Sequence, residues 1–232
     1  ITHSHMDHMG SLLHILKEFP VDHFYYPGYF HTSATNKKVA AQLEQLKTPI
    51  HELKRGDKVE LDEGVTALAL HPPKEGWEPY DDDLNNFSVV LRLTYGDVDF
   101  LLTGDAETKS EKEILKAKMV LKSEFLKIGH HGSITATSEE FLDSVLPLYA
   151  VISAGANNKF GHPHANVLKM LRDRDITILR TDESGTVGVY TDGKRIMIRL
   201  KGKDWVPVSW FIRTRTPGRT WFVTSSEGGF HA

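Results

Sequence analysis

Residues 1–11 read Ile1-Thr2-His3-Ser4-His5-Met6-Asp7-His8-Met9-Gly10-Ser11, and they put four metal-ligating side chains, His3, His5, Asp7 and His8, within six positions. In an extended segment side chains alternate faces, so His3, His5 and Asp7 point the same way, and His8 joins them only where the strand gives way to a loop. The stretch therefore predicts a strand-to-loop-to-helix junction. Gly10 and Ser11 supply the loop and the N-cap, Leu12, Leu13, Ile15 and Leu16 form the apolar face of a helix, and Pro20 closes it. A purification tag is a run of one residue; it does not interleave an Asp or lead into a helix.

The rest of the chain has to complete this cluster, and composition limits how. There is no Cys among the 232 residues, which excludes disulfides and thiolate metal sites and leaves His and carboxylate as the strong ligands. Thirteen His are enough for two sites. Hydrophobic and charged fractions of 40% and 25% are those of a globular protein with a substantial core. No apolar run is long enough to cross a bilayer, and the opening lacks a basic then apolar leader; localisation is not legible. A formal charge of -3 excludes a general basic footprint for nucleic acid. Lys116, Lys118, Lys122 and Lys127 form the local basic cluster that a phosphate backbone would use, and are otherwise a solvated helix face.

Downstream, strands and helices alternate in an α/β pattern. Strands are expected at Val21–Tyr26, Lys58–Leu61, Val65–Leu70, Phe87–Tyr95, Asp99–Leu102, Phe125–Ile128, Tyr149–Ser153, Ile176–Leu179, Gly185–Tyr190 and Lys194–Leu200. Gly96-Asp97 and Asp192-Gly193 are hairpin signals. Helices are expected at Val39–Leu46, Ala106–Met119, Ser138–Val145 and Val167–Arg174, and Glu75–Asp83 reads as a loop long enough to cover a site. One domain over residues 1–200 is followed by an extension, Lys201–Ala232, that carries three of the four Trp and has no assigned role.

Three later loops each follow an expected strand and each offer a ligand: Thr103-Gly104-Asp105, Gly129-His130-His131-Gly132-Ser133 and Gly161-His162-Pro163-His164. Loops at one edge of a sheet gather in space, which is where layered folds build their sites.

Together with Asn85-Asn86-Phe87-Ser88-Val89-Val90-Leu91, Leu101-Leu102, Leu126-Lys127-Ile128 and the run from Ser153 to His162, these motifs resemble the metallo-β-lactamase superfamily over roughly residues 1–200, in the branch of the nuclease-like domain of ComEC competence proteins. The resemblance implies an αββα sandwich binding two divalent ions, where periodicity alone gives only α/β. Carried over, His3 and His5 with His131 hold one ion, Asp7 and His8 with His162 the second, and Asp105 bridges them. His130 and His164 are then substrate-facing or supporting residues. In many relatives a separate His before the Gly-Asp motif completes the first site; His71 is the candidate, although the ComEC branch does not depend on one. Two departures stand out: ComEC proteins typically carry a carboxylate where this chain has His5, and the strands and Asp-bearing loop that normally precede the motif are absent. Upstream sequence encoding two or more strands and a Gly-Asp-type loop is therefore expected.

Two cations roughly 3.5 to 4 Å apart lower the pKa of a shared water enough to supply hydroxide near neutral pH. The expected protein is a metal-dependent hydrolase, a phosphodiesterase or ComEC-like nuclease, with Zn as the default for a His-rich set and Mn or Fe served by the same ligands. Asp7, Asp105, His130 and His164 form the expected catalytic set, and a phosphodiester, DNA among them, the substrate. A lactone or lactam hydrolase on the same metals and a non-catalytic metal-binding module are the competing classes. Paired His between glycines favour the phosphodiester, since one ring binds metal while its neighbour and the Gly132-Ser133 amides donate to an anion.

Overall fold

The computed structural model describes residues 1–77 and 83–208. Its first helices are α1 (Met6–Met9) and α2 (Leu12–Glu18), followed by β1 (Phe24–Tyr26), α3 (Ala34–Leu46) and β2 (Ile50–Glu52). The strands β3 (Lys58–Asp62), β4 (Val65–His71), β5 (Val90–Tyr95) and β6 (Val98–Leu102) make an antiparallel meander. Then come α4 (Thr108–Lys116), β7 (Phe125–Lys127), α5 (Glu139–Val145), β8 (Tyr149–Ile152), α6 (Ala165–Arg172), β9 (Thr177–Arg180), the single turn α7 (Thr181–Ser184), β10 (Val187–Thr191), β11 (Ile196–Leu200) and β12 (Val206–Val208). Helix starts follow the usual chemistry, with Ser33 and Ser138 accepting from the amides of Asn36 and Phe141 at the starts of α3 and α5.

Strands β3 to β9 form one seven-stranded sheet in sequence order, antiparallel from β3 to β6 and parallel from β6 to β9. The parallel strands alternate between two covered faces, so both faces are apolar. Leu101, Leu126, Ile128, Ala150 and Ile152 pack on one side against Ile114 of α4, Phe141, Leu142 and Val145 of α5, and Val167 and Leu171 of α6. Phe100, Phe125, Tyr149 and Val151 face the other way onto the sheet β10-β11-β12, through Val187, Ile196 and Ile198. Phe100, Phe125 and Tyr149 are register neighbours whose rings stack at centroid distances of 4.9 and 4.8 Å. Helices α1 to α3 and β1 close a separate cluster around Met9, Leu16, Phe24, Val39 and Leu43. The layered α/β sandwich is the architecture the motifs led one to expect.

Three details differ from expectation. The opening is not a strand: Met6–Met9 is a helical turn, because the amides of His8 and Met9 both find the His5 carbonyl, at 3.1 and 3.0 Å, and the turn drives Met9 into the core. Strand β2, too short to show a period, pairs parallel to β1. Past Leu200 the sheet continues, with Val206 paired to Ile198. Residues 209–232 of the expected extension, and 78–82 of the expected covering loop, lie outside the described residues. Among the described residues no helix is long and apolar enough to cross a membrane.

The consequence for function is positional. Because β6, β7 and β8 are parallel neighbours, their C-terminal ends share one edge, and the three ligand-bearing loops leave from there. The same edge receives the opening segment, since Val89, just before β5, donates its amide to the Thr2 carbonyl at 2.9 Å.

Candidate metal centre

The opening segment is fixed by its own polar groups. Asn36, buried on α3, donates Nδ2 to the Ser4 carbonyl at 3.1 Å, and Ser4 Oγ donates to the Tyr29 carbonyl at 3.1 Å. His5 is extended (φ -71°, ψ 155°) and precedes the α1 turn. His3 and His5 therefore approach from the strand-like side and Asp7 and His8 from the helical turn.

Asp105 stands at a junction of two strands. Thr103 Oγ1 donates to the Lys127 carbonyl at 2.6 Å, and Lys127 Nζ returns to the carbonyls of Gly104 and Ile128 at 3.1 and 3.2 Å. Burial pushes the Lys127 pKa down. Gly104 has φ +56°, and a Cβ there would meet Thr2 Cβ at 2.8 Å, so only glycine lets the opening segment lie across the turn. The Asp105 amide donates to Ser88 Oγ at 3.1 Å.

Four ligand atoms converge here: those of Asp7, His8, Asp105 and His131 all lie within 4.8 Å of one another. Asp105 Oδ2 is 3.1 Å from His8 Nε2, 3.2 Å from His131 Nε2 and 3.9 Å from His3 Nε2, while His131 Nε2 is also 3.2 Å from Asp7 Oδ2. Asp105 is 2% exposed and its Oδ1 has no hydrogen-bond partner. Burial alone would raise its pKa, but hydrogen bonds from His131 and His8 outweigh that and hold the carboxyl well below its usual range. Contact with Asp105 in turn raises the pKa of His131. A buried, ionised carboxylate with one bare oxygen, ringed by imidazoles and with no thiolate nearby, fits a divalent cation.

The supporting bonds set which ring nitrogen faces inward. His131 Nδ1 donates to the Ser153 carbonyl at 2.7 Å, leaving Nε2 for the carboxylates. His3 Nδ1 is held by Thr2 Oγ1 and Ser88 Oγ at 3.2 and 3.3 Å, and burial, with His8 nearby, lowers its pKa to about 3. Its Nε2 lies 3.0 Å from His5 Nδ1.

The remaining expected residues fall at increasing distance. His131 converges with Asp7 and His8 on Asp105, whose Oδ2 is also 3.9 Å from His3 Nε2. The His162 ring stands 6.3 Å from that of His131, outside the convergent four, and next to His130, His164 and Phe160 at 5.5, 4.9 and 5.7 Å. His130 Nδ1 turns to Glu107 Oε1 at 2.8 Å. His164 Nδ1 accepts from the Ile134 amide at 3.0 Å, which puts the proton of the neutral ring on Nε2. His71 is fully buried, donates Nδ1 to the Ser88 carbonyl at 3.0 Å, and has no partner for Nε2; it is not among the convergent four.

Two expectations are corrected by these bonds. The Ser133 amide is spent on the His130 carbonyl at 2.8 Å and so is not free for an anion. Lys127 is turned into the junction below Asp105 and does not join Lys116, Lys118 and Lys122 in a surface patch.

The loop after β7 is strained. His130 and His131 both lie in the left-handed region (φ 43° and 56°), at a cost of roughly 1–3 kcal/mol each. Gly132 follows at φ +85°, where a Cβ would meet Pro163 Cβ at 2.5 Å. Sequence reading missed Ser88, Ser153 and Glu107 as supports; Ser88 and Ser153 lie inside quoted motifs and Glu107 two residues past Asp105, but nothing local says where their side chains go.

Residues 1–156 match the family model described as the metallo-beta-lactamase superfamily. The chain belongs to that superfamily. With membership goes the class read from the motifs, a metal-dependent hydrolase. Among curated superfamily relatives, the chain is 36% identical over 187 residues to ComE operon protein 3 of Bacillus subtilis, covering 81% of this chain and 24% of that protein. It is 43% identical over 126 residues to competence protein ComA of Neisseria gonorrhoeae, covering 54% and 18%. Recombination protein 2 of Haemophilus influenzae matches at 36% over 129 residues, covering 56% and 16%. The chain thus spans about a quarter or less of these relatives' length. A solved structure, the CmlA beta-hydroxylase E377D mutant, shares the fold at a TM-score of 0.51 and 16% identity, over 78% of this chain and 42% of that one.

Proposed function

We propose that this chain is a two-metal phosphodiesterase acting on nucleic acid. The observation that carries the reading is the bare Oδ1 of buried Asp105 beside its three-imidazole neighbourhood. Asp7, His8, Asp105 and His131 would hold one ion, and His3 and His5, with Asp105, a second; His162 remains a further ligand candidate. Zn is the default, with Mn or Fe accepted by the same donors. Ions held there would supply Lewis acidity and an activated water.

The protein's own groups do the rest. Lys127 and Ser88 fix the backbone that carries Asp105, Ser153 sets the His131 tautomer, and His164 offers an Nε2–H donor to an anionic oxygen. His130, in a left-handed conformation between two ligand loops, faces the substrate. A phosphodiester suits the His164 imidazole donor beside a carboxylate-bound centre better than a neutral lactone does, since the phosphoryl oxygens carry charge before the reaction begins. The names of the relatives, competence and recombination proteins, point to DNA. Metal analysis of the purified chain with a phosphodiesterase assay tests this: two ions per chain and activity lost to chelator support it, and one inert ion overturns it.

A further inference from the structure

We infer that Glu107 is a positioning residue for His130, fixing its ring and its tautomer so that Nε2 is the nitrogen offered to substrate; this rests on the phosphodiesterase reading for its purpose but not for its geometry. Glu107 precedes α4, where a carboxylate ordinarily caps its own helix, yet its side chain makes no cap bond. It turns instead to the loop after β7. Oε1 accepts from His130 Nδ1 at 2.8 Å and from Thr135 Oγ1 at 2.7 Å, with Asn85 Nδ2 at 3.4 Å, and Oε2 accepts from Asn86 Nδ2 at 3.2 Å.

The carboxylate is itself held in place. Asn86 is 4% exposed, donates Nδ2 to Asp83 as well, and takes on its Oδ1 the amides of Glu107 and Ser110 at 3.3 and 3.2 Å together with Ser110 Oγ at 2.8 Å. Asn86 thus does the capping that Glu107 does not, and frees the carboxylate for His130. The target needs such a hold, because His130 sits at φ 43°, ψ 50°, a conformation a non-glycine residue keeps only when its surroundings insist. With Nδ1–H donated to Glu107, the lone pair of the neutral ring is on Nε2, where Asn85 Nδ2 lies 3.4 Å away as a weak donor and the rings of His162 and His131 stand at 5.5 and 6.1 Å. The arrangement parallels His131, whose Nδ1–H is fixed by Ser153: two consecutive histidines, each with its Nδ1–H tied to an oxygen.

The test uses the zinc-loaded chain, with long-range nitrogen–proton NMR correlations reporting the tautomer of each His ring. Wild-type His130 is expected to carry its proton on Nδ1, and Glu107→Gln to lose that preference while metal content stays at the wild-type value. Thr135→Val, which removes a second donor to the same oxygen and the longer 3.3 Å contact of Thr135 Oγ1 with His130 Nδ1 but keeps the carboxylate, should leave the tautomer unchanged. In kinetics Glu107→Gln should lower kcat roughly 10- to 100-fold, the range that loss of an orienting partner costs, with KM little altered and no further loss in a His130→Ala background. A wild-type ring protonated on Nε2, a tautomer unmoved by Glu107→Gln or moved equally by Thr135→Val, or a full Glu107→Gln loss in the His130→Ala background would overturn the inference. Should the chain hydrolyse no phosphodiester, the proposed function fails while the tautomer measurement still decides the role of Glu107.

Discussion

Asp105 Oδ2 lies 3.2 Å from His131 Nε2, so the loop after β6 and the loop after β7 meet at a single carboxylate oxygen while its other oxygen is left without a partner. Asp105→Asn keeps the shape and removes the charge. Metal content and turnover should fall together, with metal affinity reduced by more than the roughly 10- to 100-fold that loss of an orienting partner costs. Elemental analysis beside a rate assay checks this. If Asp105 were a turn residue capping α4, the change would cost only about 1 kcal/mol of stability and leave metal and rate intact.

His71 makes stability depend on pH. Burial holds its folded pKa at about 4, against 6.5 in the unfolded chain. Between those values the unfolded state binds the extra proton, so stability is fully present above pH 6.5 and is lost as pH falls toward 4. The gap is worth roughly 3 kcal/mol. Chelator-treated His71→Gln should therefore show a flatter decline across this window in denaturant titrations. Equal slopes in the two proteins would contradict it.

Much of this was legible in the sequence because it is local. Gly96-Asp97 announced the β5–β6 hairpin, and Ser138 announced the start of α5. The cluster His3, His5, Asp7 and His8 was visible as spacing, but its shape was not: two backbone bonds to the His5 carbonyl outcompete strand alternation, and no period survives in five residues. The supports were invisible for a different reason. Ser88, Ser153 and Glu107 act through contacts 17 or more residues away in sequence, which depend on the order of strands in the sheet. Lys127 misled because its charge reads as surface, whereas its ammonium is satisfied by two carbonyls beneath Asp105.

Glu111 supplies a test of the scaffold alone. It is 2% exposed, burial raises its pKa, and its two oxygens accept from the amides of Thr137 and Ser138 at the start of α5. Glu111→Ala leaves both amides without an acceptor, for a loss of about 2–4 kcal/mol. The midpoint of chemical unfolding measures it. A change under about 0.5 kcal/mol, typical of surface sites, would show that these bonds do not tie α4 to α5.

Whether the bound ions act on a phosphodiester is read from a side-by-side rate assay. Bis-p-nitrophenyl phosphate, a lactone and a β-lactam are offered to metal-loaded wild-type and His130→Ala protein, with and without chelator. Chelator-sensitive phosphodiester hydrolysis restored by Zn or Mn is expected, with little or no lactam opening and a loss on the order of 10²-fold or more in His130→Ala, as for a group that acts on the substrate in the transition state. Faster turnover of the lactone or lactam, or a phosphodiester rate untouched in His130→Ala, would contradict it.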